Sequence, residues 1–214
     1  NVNDFILATK ALEKKGYTIF RMGRDVAEKF RYNSENVIDY ANSEISSDFL
    51  DLYLIKKCSF FISTGCGLDS IAIIFNKPII YINYVPIGEC SVFSNNFLFS
   101  YKKYYDFKKK KYLSLKEIFS RNLAYQYPKK KNLSKKNLLL KKLNLREIKD
   151  IILEMEVKIK NISIKQKKLS RLQKLFKKKF NKLILKHPPK PKIFGKLFPN
   201  VSEKFIKKNI YLLN

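Results

Sequence analysis

The 214-residue chain has room for one domain, or a domain with an appendage, and its 45% apolar residues can bury a core. Its formal charge of +27 is unevenly held: residues 1–100 carry 10 Lys+Arg against 11 Asp+Glu, and the remainder 35 against 7. No uncharged apolar run reaches the roughly 18 residues of a membrane span and no secretory leader opens the chain, so a cytoplasmic protein is expected, with peripheral contact at the inner face of a membrane left open.

The first residue, Asn1, already lies in a helical pattern (Phe5, Ala8, Leu12), and the chain reads as a piece of a longer protein. Lysines outnumber arginines 39 to 6, and A/T-rich codons account for part of that excess. Sequence-specific nucleic-acid binding relies on Arg forks and a recognisable module. Neither is present, so the expectation is no specific nucleic-acid partner, with non-specific attraction to anionic surfaces retained. Cys58, Cys66 and Cys90 form no CxxC pair and lie near no His, which indicates a reducing compartment and no metal site.

In chain order, residues 3–15 read as an amphipathic helix stopped by Gly16, and residues 17–22 as a strand ending in Arg21-Met22-Gly23. Residues 24–36 are polar loop, and residues 37–40 a second extended segment containing Asp39. Asp48-Phe49-Leu50-Asp51 is a capping-box-like start to a helix with Leu50, Leu54 and Ile55 on its apolar face. Residues 59–70 then carry an apolar run into Ser63-Thr64-Gly65-Cys66-Gly67 and on into the helical pattern Leu68, Ile71, Ala72, Phe75. That is a strand, a tight turn and a helix. Pro78 breaks the helix, and Ile79–Ile82 is a buried strand ending at Asn83.

Continuous apolar strands alternating with helices predict an α/β fold, a Rossmann-like parallel sheet covered on both faces. In such sheets ligands bind beyond the carboxyl ends of the strands, where Arg21, Asp39, Ser63–Gly67 and Asn83 would converge. Downstream, residues 101–112 interleave Lys with Tyr and Phe and read as a loop with buried aromatics or as a base-stacking surface. Ser114–Glu117 fits a capping box, residues 128–144 read as exposed, and residues 144–160 as a helix. A basic helical run over 165–186 either packs or lies on an anionic membrane, and prolines 188, 189 and 191 end it. A last helix is expected over 202–213, with Phe205, Ile206, Ile210 and Leu213 on one side.

Each candidate has a bland alternative. The glycine turn lacks the G-x-G-x-x-G pattern and the P-loop lysine, and by itself is an ordinary βα turn; its neighbours turn the reading toward phosphate. Cys66 reads as a small turn residue rather than a nucleophile. Arg21 is either a phosphate fork or a partner of Asp39 or Asp25. Asp48 and Asp51 orient a hydroxyl or serve the helix start, Asp69 serves its own helix, and Asn83 contacts sugar or forms a turn. His187 sits in a breaker segment and is not expected to be catalytic.

Taken together, Gly16-Tyr17, Arg21-Met22-Gly23, Ile38-Asp39-Tyr40-Ala41, residues 47–54, residues 58–68, Pro78, residues 83–86 and the tail over 205–209 resemble a bacterial glycosyltransferase family of surface-polysaccharide biosynthesis. The resemblance implies the C-terminal, donor-binding half of a GT-B-type enzyme, in which two Rossmann-like domains face a cleft and no metal or other cofactor is required. Residues 1–125 would then be the nucleotide-sugar-binding domain and residues 126–214 a lysine-rich helical extension. Arg21, Gly23, Ser63, Thr64, Gly65, Gly67 and Leu68 would bind the donor diphosphate, and Asp39, Asp48, Asp51 and Asn83 would contact sugar or ribose. The acceptor would be a glycan or a lipid-linked glycan. Cys66 stands where the family pattern suggests Ser, and the acceptor-binding half is missing. The alternatives are a non-enzymatic basic module that binds nucleic acid or anionic membrane, and a sugar-nucleotide epimerase.

Overall fold

A 3-10 turn (Val2–Phe5) leads into helix α1 (Ile6–Glu13), whose buried Ala8, Thr9 and Leu12 follow the helical period. They pack on α6 (Leu145–Lys160), an amphipathic helix where Ile148, Ile151, Ile152 and Met155 are fully buried. Lys15 reaches across to the buried Glu156 at 3.2 Å, so the segment around α1 is held to α6 through both apolar packing and an ion pair. The computed structural model describes residues 1–24, 26–89, 96–160, 169–188 and 200–214.

The protein is a mixed α/β fold with parallel strands. Strands β1 (Ile19–Phe20) and β2 (Val37–Ile38) pair in parallel, and β3 (Phe61–Ser63), β4 (Ile79–Tyr84) and β5 (Phe97–Tyr101) form a second parallel ladder in that order. Two ladders therefore replace the single sheet expected, because polar sequence after Phe20 and Ile38 leaves each of the first strands two residues to pair. Between the strands lie α2 (Asp48–Lys57) and α3 (Leu68–Ile74). The middle strand β4 buries Ile79, Ile80, Tyr81 and Ile82, as its unbroken apolar run requires. The outer edge of β5 is covered: Phe99 N–H donates to Asn200 O at 2.8 Å, and Ser202 N–H donates back to Phe99 O at 2.9 Å.

Residues 101–112, read as a loop, are strands instead. β6 (Lys103–Asp106) pairs antiparallel with β7 (Lys111–Tyr112) on one side and with β8 (Leu138–Lys141) on the other. Tyr104 and Asp106 point inward while Lys103 and Tyr105 are half-buried, the alternation of a sheet with one solvated face. Residues 128–144 are likewise only partly surface, since they contain α5 (Lys130–Lys135), with buried Leu133, as well as β8. The β6–β8 ladder and the α1–α6 packing both cross the boundary expected after residue 125, and one hydrophobic core runs through both parts.

Helices α4 (Leu115–Ser120) and α7 (Arg171–Lys186) both open on full capping boxes, Ser114 with Glu117 and Ser170 with Gln173. Of the prolines expected to end α7, Pro189 and Pro191 lie outside the described residues. The last expected helix is two pieces. α8 (Glu203–Lys208) stops at Asn209, whose side chain donates to Phe205 O at 2.8 Å, and a 3-10 turn (Ile210–Leu213) follows. Ile210 consequently faces solvent, 52% exposed, rather than the core. No helix among the described residues is long and apolar enough to cross a membrane.

Candidate functional site

At the carboxyl end of β3 the chain turns on its own hydrogen bonds. Ser63 Oγ accepts from Gly65 N–H at 2.8 Å and donates to Asp69 Oδ1 at 2.5 Å, while Asp69 Oδ2 accepts from Cys66 N–H at 3.0 Å. The Asp69 carboxylate, 8% exposed, thus occupies part of the positive environment that the turn and the start of α3 create. Gly65 has φ +89°, so the turn needs glycine for its conformation, while a Cβ there would make ordinary contact with the Tyr84 ring at 3.4 Å. Gly67 differs: a Cβ there would meet nothing within 4 Å.

Thr64, Gly65, Cys66 and Gly67 are all exposed, whereas Leu68 packs against the core. The Gly67 N–H has no hydrogen-bond partner among the described residues. Thr64 adds an exposed hydroxyl-bearing residue at the same end of the parallel strand. With only seven residues, α3 contributes a short dipole at this end. Desolvation of its sulfur and the Asp69 carboxylate push the Cys66 thiol up, which favours its protonated form near neutral pH.

A second group stands at the ends of β1 and β2. Arg21 Nη1 contacts Asp39 Oδ1 at 3.0 Å and Nη2 donates to Glu28 O at 3.1 Å; its side chain is 12% exposed. Asp39 also accepts from Phe30 N–H at 3.0 Å and from the Asn42 amide at 2.7 Å. Burial raises the Asp39 pKa, but the Phe30 N–H, Asn42 and Arg21 together outweigh it and hold the carboxyl below its usual range. Arg21 is thus paired with Asp39, one of the partners expected for it, and the two join the end of β1 to that of β2; Asp25, the other partner expected, lies outside the described residues. Gly23, with φ +136°, turns the chain between β1 and β2.

Asp48 and Asp51 lie in the first turn of α2, but the cap is Ser47, which accepts from Leu50 N–H at 3.3 Å. Arg24 bridges to Asp48 and lies 3.9 Å from Asp51. Arg24 is 61% exposed and is the cation that the sequence reading passed over; its signal was the Arg-x-x-Arg spacing after β1. Asn83, expected to contact sugar, is 8% exposed and its Oδ1 accepts from Leu143 N–H at 2.8 Å, so it ties β4 to the segment leading into α6. Its φ of +58° is one that Asn tolerates.

Among the described residues no three His, Cys, Asp or Glu side chains gather as a metal-binding group. A cleft of about 470 Å³ lies away from these strand ends, beside Lys111, Tyr112, Lys116, Glu117 and Tyr211. His187 ends α7, where its carbonyl accepts from Tyr125 OH at 2.9 Å. Compared with known proteins, the chain matches no protein-family model, no curated protein and no solved structure.

Proposed function

We propose that the chain is the donor-binding part of a GT-B-type glycosyltransferase, with a Rossmann-like β3–α3–β4 unit that takes a nucleotide-diphosphate sugar for transfer to a glycan or lipid-linked glycan. The observation that carries this reading is the exposed turn over 64–67 at the carboxyl end of a parallel strand, open at Gly67. An exposed wall, rather than an enclosed pocket, suits a donor half whose facing half lies elsewhere. The Gly67 N–H and Thr64 hydroxyl would hold the diphosphate, and the exposed Arg24 would join them by exchanging its Asp48 partner for the ligand. Arg21 and Asp39 would position that rim without touching the ligand. Donors fixed at the diphosphate stabilise its departing charge, which is the electrostatic demand of glycosyl transfer.

Thermal unfolding with UDP, GDP and their sugars tests the reading. A Tm that rises with ligand concentration is expected, and Gly67→Val abolishes the rise while the unliganded Tm holds, since its side chain enters open space. Absence of any shift with all of these ligands would refute it.

A further inference from the structure

The loop over 107–110 joins β6 to β7, with Asp106 and Lys111 paired at its base. Phe107 stands at this end of the antiparallel sheet, 54% exposed, followed by the exposed Lys108, Lys109, Lys110 and Lys111. Phe107 N–H donates to Asn137 O at 2.9 Å, which brings the end of α5, with exposed Lys135 and Lys136, beside the loop. Lys136 borders a small cavity together with Lys129 and Tyr127, and Tyr127 is 73% exposed. One end of the sheet thus presents two solvated aromatic rings set among lysines.

The acids near it are turned inward. Asp106 is buried, accepts from Lys109 N–H and pairs with Arg121 at 2.8 Å; Glu117 pairs with Lys111 at 2.9 Å. Lys108, Lys109, Lys110, Lys135 and Lys136 have no carboxylate partner among the described residues. Charge complementarity therefore calls for a polyanionic surface. The tyrosines behind the loop are already covered: Lys141 Nζ sits 4.1 Å over the Tyr105 ring, and Tyr112 stacks on Tyr211 at 5.2 Å. Beyond Phe107 and Tyr127, no row of open ring faces for stacked bases stands at this end of the sheet among the described residues, which disfavours single-stranded nucleic acid. Exposed aromatics ringed by lysines match a bilayer interface, with rings at the acyl boundary and ammonium groups among the headgroups. The basic helix α7 does not offer this, because its Phe176 and Phe180 are buried in the core.

We propose that the 107–110 loop and the adjoining end of α5 form a docking surface for anionic phospholipid bilayers. The inference stands independently of sugar transfer. The chain contains no Trp, so Phe107→Trp in the full chain is a single reporter. Its emission should shift to the blue with phosphatidylcholine vesicles containing phosphatidylglycerol, and not with phosphatidylcholine alone. The exposed substitutions Lys108→Gln, Lys109→Gln and Lys110→Gln together should lower vesicle partitioning on the order of a hundredfold, at roughly fivefold per lysine, with the far-UV circular dichroism unchanged. The proposal is overturned if anionic vesicles give no shift, if neutral vesicles give the same shift, if the triple variant binds as before, or if a single-stranded oligonucleotide at the same salt binds more tightly than the vesicles.

Discussion

Replacing Asp39 by Ala should remove more stability than any other single change at the ends of β1 and β2. The carboxylate receives three charge-assisted hydrogen bonds, from Phe30 N–H, the Asn42 amide and Arg21. Without it, Arg21 keeps only the Glu28 carbonyl and its charge stays largely out of water, at 12% exposure. Lost bonds to a charged group and an uncompensated partner would together cost about 4 kcal/mol; screening at a carboxylate 23% exposed brings the expectation to about 3 kcal/mol. Asp39→Asn keeps the shape and some of the bonds and should cost about half as much. In urea, with a slope of about 2 kcal/mol/M, the Ala variant's midpoint falls by about 1.5 M at unchanged slope. Because the folded carboxyl titrates below its usual range, its contribution is complete above the unfolded pKa of about 4 and fades as pH falls toward the folded value; Asp39→Ala should lack that portion of the acid loss. A midpoint within about 0.3 M of the parent would refute the account of this rim.

Other positions give independent checks. Gly88→Ala should destabilise by about 1–3 kcal/mol, read as a lower Tm, because its Cβ would sit 2.8 Å from Ala124 O and 2.5 Å from the Tyr125 ring; an unchanged Tm would contradict the packing. Asn83→Ala leaves the Leu143 N–H buried without its acceptor, for about 2 kcal/mol, and should speed hydrogen exchange at that amide; exchange at the parent rate would contradict the tie between β4 and α6. Alkylation of Cys66, followed by mass spectrometry, should climb about tenfold per pH unit through pH 8.5, and Asp69→Asn should accelerate it at neutral pH; a plateau near pH 7 in the parent would contradict a raised thiol pKa.

The parallel strands were legible because burial on both faces forces unbroken apolar runs such as Ile79–Ile82, and the turn after β3 because glycine and hydroxyl residues punctuate it. The antiparallel sheet was hidden by its own solvated face: Lys103 and Lys141 read as loop, while the inward Asp106 makes sense only once Arg121, fifteen residues on, is known to meet it. The end of α8 was misjudged for a similar reason, since Ile210 keeps the helical period although Asn209 has already ended the helix. At the candidate site the sequence named residues but could not show their engagements. It could not show that Asp69, in the first turn of α3, turns back onto the Cys66 N–H just before the helix. Nor could it show that Asp39 would hold Arg21, a pairing favoured by the β1–β2 register that sets Phe20 against Ile38.

Titration calorimetry of the parent and Gly67→Val with UDP, GDP and their sugars tests the proposed donor site most directly. Saturable binding of one of these ligands to the parent, lost in a Gly67→Val protein of unchanged Tm, is the predicted result. No heat with any of them, or equal binding by both proteins, would contradict it.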